Sequence, residues 1–214
     1  MNTSLFVDIS LLNSPVDFCD ISFINASTRE KMDGYKLNIF ENIYEWERDE
    51  LEDIIWERFN NESNIELACY LPQLKKYDGI EALQNKLSEC AIPSRESRMI
   101  AKVLYNSTGK DCYLDIFKEN YEKSKENLYI IVTELYYCKP GKKMFDMLCD
   151  IYLNCNEELA VNSAAWGIFF YIKGIDPNIT LTEKIKYIPI VNMLTECEKT
   201  QRMEQFKKLK NGIM

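Results

Sequence analysis

Between Phe40 and Phe59 the sequence FENIYEWERDELEDIIWERF places apolar residues three to four positions apart, the spacing of one face of a helix. Drawn at about 100° per residue, Phe40, Tyr44, Leu51, Ile54 and Ile55 share one side. Glu41, Glu45, Asp49, Glu50, Glu52, Asp53 and Glu57 take the flanks and the opposite side, and Trp46 and Trp56 fall among these carboxylates. Asn60-Asn61-Glu62-Ser63 ends the segment. From Asn64 onward the pattern predicts helices in pairs: NIELACYLPQLKKY with IEALQNKLSEC, SRMIAKVLYNST with CYLDIFKENY, LYIIVTELYYCKP with MFDMLCDIYLNC, and ELAVNSAAWGIFFYIK with a last helix pair from about Thr182 to Lys210.

Gly79, Gly109, Gly141 and Gly174 lie 30, 32 and 33 residues apart, among only seven glycines in the chain. Each is expected to end the first helix of a pair, because glycine takes the left-handed conformation of a helix C-cap without steric cost. A period in this range marks stacked helix pairs, which bury their apolar faces only against neighbouring pairs. The expected fold is therefore all-α: a right-handed stack of antiparallel helix pairs, an α-solenoid over residues 37–214. Ile65, Leu67, Tyr70, Leu71 and Leu74 from the first pair, and Leu128, Ile131, Val132, Leu135, Phe145, Leu148, Ile151 and Tyr152 from the third, are expected in its core. Pro72 is expected to kink its helix. Ala160, Ala164, Ala165 and Gly167 suit close helix approach, with Trp166, Phe169 and Phe170 filling the remaining space. Residues 1–36 form a separate N-terminal cap segment, in which LFVDISLL and DFCDISFI have partial period-2 alternation. That alternation fits two short strands or an extended cap, and a short helix remains an alternative.

Charge changes this picture at one place. The chain carries 26 Lys and Arg against 34 Asp and Glu, a net charge of −8. The segment from Glu41 to Glu66 holds ten of those carboxylates and only Arg48 and Arg58, so it accounts for the whole excess. A charged helix face is usually no more than a solvated surface. Two tryptophans placed among the carboxylates give it a second reading, a docking face for a basic partner, with charges that steer and indoles that anchor. On that reading Glu45, Asp49, Glu50, Asp53 and Glu57 steer, while Trp46 and Trp56 anchor.

Composition excludes several other functions. Dispersed Lys and Arg argue against a nucleic-acid binder, and the net charge after Glu66 is near zero, which argues against a helical-repeat DNA-binding groove. The start, MNTSLFVDISLL, lacks the basic region of a signal peptide, and the longest apolar run, Ala164 to Ile172, is too short to span a bilayer, so a cytoplasmic protein is expected. Of the eight cysteines no two form a CxxC pair. Cys69, Cys138 and Cys149 sit in helical apolar patterns and read as reduced, packed thiols, and the spacing of Cys149 and Cys155 is not a zinc pattern. The chain has no histidine, which removes Ser-His and Cys-His nucleophile pairs and His-ligated metals. Phosphate-binding glycine loops and the G-x-S-x-G and H-E-x-x-H motifs are also absent. No catalytic residue, metal or cofactor is expected, and the protein is not expected to be an enzyme.

The paired helices from Asn64 to about Lys199 resemble HEAT-like and armadillo-like repeats. The segment ELACYLPQLKKYDGIEALQNKL, in a small, acidic, histidine-free helical chain rich in Asn, Ile, Lys and Tyr, looks like the immunity proteins of bacterial contact-dependent growth inhibition and related polymorphic toxin systems. That resemblance implies a monomeric inhibitor in the cytoplasm that binds one cognate toxin domain, often a basic nuclease, and occludes its active site. It implies neither membrane nor nucleic acid as a partner. A scaffold that binds a peptide along the concave face of its repeats is the alternative, and it places the contacts on the inner helices.

Overall fold

The computed structural model describes residues 39–41, 43–62 and 64–212, and every regular element among them is helical. The expected cap segment, residues 1–36, lies outside the described residues. The α-helices are α1 (Glu45–Asn61), α2 (Gly79–Glu89), α3 (Arg95–Thr108), α4 (Cys112–Lys123), α5 (Leu128–Tyr136), α6 (Lys142–Asn154), α7 (Glu158–Lys173), α8 (Leu181–Ile185), α9 (Ile188–Thr195) and α10 (Arg202–Lys210). Short 3-10 helices occupy Ile39–Glu41, Ile65–Gln73 and Lys199–Gln201. The chain divides inside α2 into two compact units, residues 1–82 and 83–214. Among the described residues no helix is long and apolar enough to cross a membrane.

In the first unit α1 begins where the Glu47 carboxylate turns back to accept the Tyr44 backbone N–H at 3.0 Å. Glu45 and Glu47 in its first turn and Arg58 in its last match the helix dipole. Leu51, Ile55 and Phe59 are buried. The apolar stripe is shorter than the sequence suggests, since Phe40 belongs to the preceding 3-10 turn and Tyr44 is the N-cap. The next segment corrects an expectation: Ile65–Gln73 is wound as a 3-10 helix of nine residues, and Pro72 lies inside it. Proline removes one backbone donor and crowds the preceding turn, so regular α winding is lost while Leu67, Ala68, Tyr70 and Leu71 stay buried. Gly79 allows this: a Cβ there would stand 1.9 Å from the Leu71 carbonyl oxygen.

In the second unit α3 to α7 fall where the periodicity puts them. Gly109 and Gly174 cap α3 and α7 with φ of 69° and 63°, as helix-ending glycines should. Gly79 and Gly141 do something else, for they stand at the starts of α2 and α6. At Gly141 a Cβ would lie 2.2 Å from the Tyr105 hydroxyl, so the small residue makes room for a packed ring. The near-constant period thus has two physical causes. The expected last helix pair is broken into α8, α9, a 3-10 turn and α10. Thr180 and Glu183 form the capping box of α8, and Pro189 at the start of α9 restarts the chain.

The most extensive packing is α7 against α5 and against α6, followed by α3 against α4 and α7 against α9. Helix α3 also meets α5, and α4 meets α6. Ala160, Ala164, Ala165, Ile168 and Phe169 of α7 are fully buried, whereas Trp166 is half-buried against Phe169 and Phe170. Tyr129, on a core-like spacing in the sequence, lies outside at 36% exposure. Burial pushes the thiols of Cys138 and Cys149 up to about 12 and that of Cys69 up to about 11, which keeps all three protonated at neutral pH. They are free cysteines.

Gly167 is where α7 comes closest to its neighbours. A Cβ there would stand 2.6 Å from the Tyr136 Cβ and 2.7 Å from the Leu148 Cδ1. The Leu148 methyl ends a flexible side chain, but a Cβ atom moves only with its backbone. Gly167→Ala gains about 1 kcal/mol of helix propensity and incurs about 1–3 kcal/mol of overpacking, so a net loss of stability is expected. A denaturation midpoint at or above that of the native chain would show that α7 has slack here.

Candidate functional site

The acidic helix is fixed from its inner side by a charge that the sequence placed in solvent. Glu52 is 1% exposed. Its Oε1 accepts from Arg48 Nε at 2.7 Å, and its Oε2 accepts the backbone N–H groups of Lys75 at 2.9 Å and Lys76 at 2.8 Å. Arg48 in turn donates to the Gln73 carbonyl at 2.7 Å and lies over the Phe40 ring, 4.7 Å from its centre. Every strong donor around this buried carboxylate is therefore matched, which is the condition for keeping an ion pair inside. The assembly straps residues 73–77 across α1.

The strap supplies its own cations to one edge of the acidic face. Lys76 Nζ pairs with Asp53 at 2.5 Å and the Tyr77 hydroxyl donates to the same carboxylate oxygen at 2.5 Å. The Lys76 and Tyr77 hydrogen bonds hold the Asp53 carboxyl below the usual range. A depressed carboxylate stabilises the fold above its unfolded value, so this pairing is intact at neutral pH and is lost as the pH falls through the folded value. Lys75 Nζ sits 3.4 Å from Glu45, with both side chains exposed. The Trp56 ring stacks on Tyr77 at 4.4 Å with 5° between planes, leaving it half-buried.

The seven residues read from the sequence as the partner face all lie on one side. At about 100° per residue, Glu45, Trp56, Asp49, Asp53, Trp46, Glu57 and Glu50 follow one another around roughly 140° of arc. The buried residues Leu51, Ile55, Phe59 and Glu52, with the half-buried Arg48, occupy the rest of the helix. Within the face there are two kinds of residue. Glu45, Asp53 and Trp56 are engaged by Lys75, Lys76 and Tyr77. Asp49, Glu50 and Glu57 are exposed and pair with no other described residue. Trp46 lies in the first turn at 71% exposure, and among the described residues its aromatic neighbour is Tyr44 at 6.0 Å.

The carboxylates of this face are open to water, and an acid catalyst needs a pocket that raises its pKa. Among the described residues no cluster of Cys, Asp or Glu has the arrangement to hold a metal ion. The sequence did not indicate Arg48, Glu52 or the strap. Backbone N–H donors carry no residue signature, and the only hint was the pair Arg48 and Glu52 at i,i+4. No family model matches the chain, and no curated protein or solved structure matches it either.

Proposed function

We propose that the protein is a binding protein that recognises a basic partner through the acidic face of α1, as an immunity protein that neutralises a cognate bacterial toxin domain. The observation that carries this reading is Trp46, a large indole left 71% exposed with the exposed Asp49 and Glu50 one helical turn away and paired with no other described residue. Exposed indoles are costly to solubility and common at the centres of interfaces. A nuclease offers a positive cleft for its substrate, and an exposed indole flanked by carboxylates is complementary to it in charge. Asp49, Glu50 and Glu57 would steer the encounter and Trp46 would slow release, while the active site of the toxin is occluded. The protein would act in the cytoplasm, as a monomer, without a cofactor.

The helix pairs support the finer architecture within this proposal, a right-handed HEAT-like stack. Contacts of α3 with α5, α5 with α7, α4 with α6 and α6 with α10 are those that neighbouring pairs in such a stack make. Under the scaffold alternative a peptide would lie along α4 and α6, and charge changes on α1 would leave binding intact.

The test is co-purification with the product of the gene directly upstream, followed by kinetics. A one-to-one complex that weakens with salt and abolishes nuclease activity is expected. Trp46→Ala should cost roughly 2 kcal/mol, about thirtyfold in off-rate, whereas neutralising Glu50 alone should alter mainly the on-rate. Because Trp46 packs on little, its removal should leave the melting temperature nearly unchanged. Absence of a complex, or a complex indifferent to Trp46, would overturn the reading.

A further inference from the structure

The second unit contains a groove made wholly of its own helices. Helices α4 and α6 flank α5, and between them opens a pocket of about 340 Å³. That size is at the small end of cavities that hold ligands, roughly 300–1,000 Å³. Its floor is hydrocarbon: Ile131, Val132 and Leu135 of α5 are at most 4% exposed, and Met147 of α6 is half-buried beside them. Its mouth is charged, with four carboxylates against two ammonium groups.

The two ammonium groups are already committed on the α4 side. Lys143 reaches across the groove to Asp115 at 2.6 Å and also donates to the Asp111 carbonyl at 3.1 Å. Lys118 pairs with Glu122 along α4 at 3.8 Å. On the α6 side Asp146 and Asp150 stand one turn apart at the lip. Asp146 meets Lys142, whose side chain is 87% exposed, and Asp150 accepts from the Asn154 amide at 2.7 Å. An exposed i,i+4 pair of that kind is weak and readily exchanged for a better cation. The lip therefore favours a positive charge and the floor favours methylenes.

We propose that the α4–α6 groove docks an arginine side chain of a partner protein. Its methylene stem lies on Ile131, Val132 and Met147, and its guanidinium lies between Asp146 and Asp150. Two carboxylates one helical turn apart, about 5–6 Å between their Cβ atoms, suit a planar fork with five donors better than a single ammonium. The long apolar stem satisfies the floor, which a small inorganic cation would leave wet. The inference uses residues of the second unit alone and stands whether or not the acidic face of α1 binds anything.

The test uses a fluorescein-labelled hexa-arginine peptide, with hexalysine and hexacitrulline peptides for comparison, read by fluorescence anisotropy on the full chain. Asp146→Asn with Asp150→Asn should weaken hexa-arginine binding by about tenfold, the scale of a charge-assisted bidentate contact. Met147→Ala should weaken it several-fold at constant charge. The double change Glu158→Gln and Glu198→Gln removes the same charge from exposed positions of the second unit outside the groove and should alter it by less than twofold. Methyl resonances of Ile131 and Val132 should move on titration. Equal binding of hexalysine, a Glu158→Gln and Glu198→Gln variant as weak as the groove variant, or an unaffected Met147→Ala would each overturn the proposal. A failed upstream co-purification would not touch it.

Discussion

Glu52→Ala is expected to lower the unfolding free energy of the first unit by about 3–5 kcal/mol, the range seen when one partner of a buried pair is removed. The size follows from what is left behind. Arg48 would keep only the Gln73 carbonyl and the Phe40 ring, and the N–H groups of Lys75 and Lys76 would lose their acceptor. Glu52→Gln gives a finer reading. Both strap N–H groups bond the same oxygen, Oε2, so a glutamine carbonyl can serve them, but its amide would then face Arg48 donor to donor. The loss should therefore be smaller than for alanine yet still exceed about 1 kcal/mol. Replacing Arg48 and Glu52 together by Met and Leu should not restore stability, because the two backbone donors remain orphaned. Urea denaturation followed by tryptophan fluorescence measures this, since the Trp56–Tyr77 stack breaks with the strap. A Glu52→Ala variant within 1 kcal/mol of the native chain would mean that water replaces the carboxylate freely.

The same residue marks the limit of what the sequence disclosed. Helices α3 to α7 were legible because each keeps a 3.6-residue apolar repeat and a cap or turn residue at its ends, which are local properties. That the seven acidic-helix residues share one side was legible for the same reason: position on a single helix decides which side a residue faces. Glu52 was not, because its burial depends on donors 23 and 24 residues away that are backbone atoms. The division of the face into engaged and open carboxylates was hidden likewise, since Lys75 and Lys76 read as an ordinary basic pair until the strap folds over α1. The 3-10 winding of Ile65–Gln73 and the start of α6 at Gly141 were misjudged because one signal, proline or glycine, serves several geometries. At Gly79 and Gly141 the neighbouring atoms, the Leu71 carbonyl and the Tyr105 hydroxyl, select which geometry holds.

A second large effect is expected in the other unit, at Asn120. This side chain is fully buried on α4 and makes three of its four hydrogen bonds to the start of α3. Its Oδ1 accepts the Ser94 backbone N–H at 3.0 Å and Arg98 Nη1 at 3.3 Å. Its Nδ2 donates to the Ser97 hydroxyl at 3.1 Å and to the Ile116 carbonyl at 2.8 Å. Ser94 is the N-cap of α3, its hydroxyl accepting the Ser97 N–H at 3.0 Å, so Asn120 holds the residue that starts that helix. Arg98 continues the network to Glu134 of α5 at 2.5 Å. Asn120→Leu keeps the volume but strands the Ser94 N–H and removes one of the acceptors of Arg98, and about 3 kcal/mol of destabilisation is expected. Asn120→Asp keeps the acceptor while losing both donor contacts, and should fall between the native chain and the leucine variant. Hydrogen exchange separates this from a general loosening: protection should drop first at the amides of Ser94 and Ser97 and through the first turn of α3, with α7 unaffected until global unfolding. If Asn120→Leu proves neutral, or if protection falls equally in α3 and α7, the network is not what joins α3 to α4.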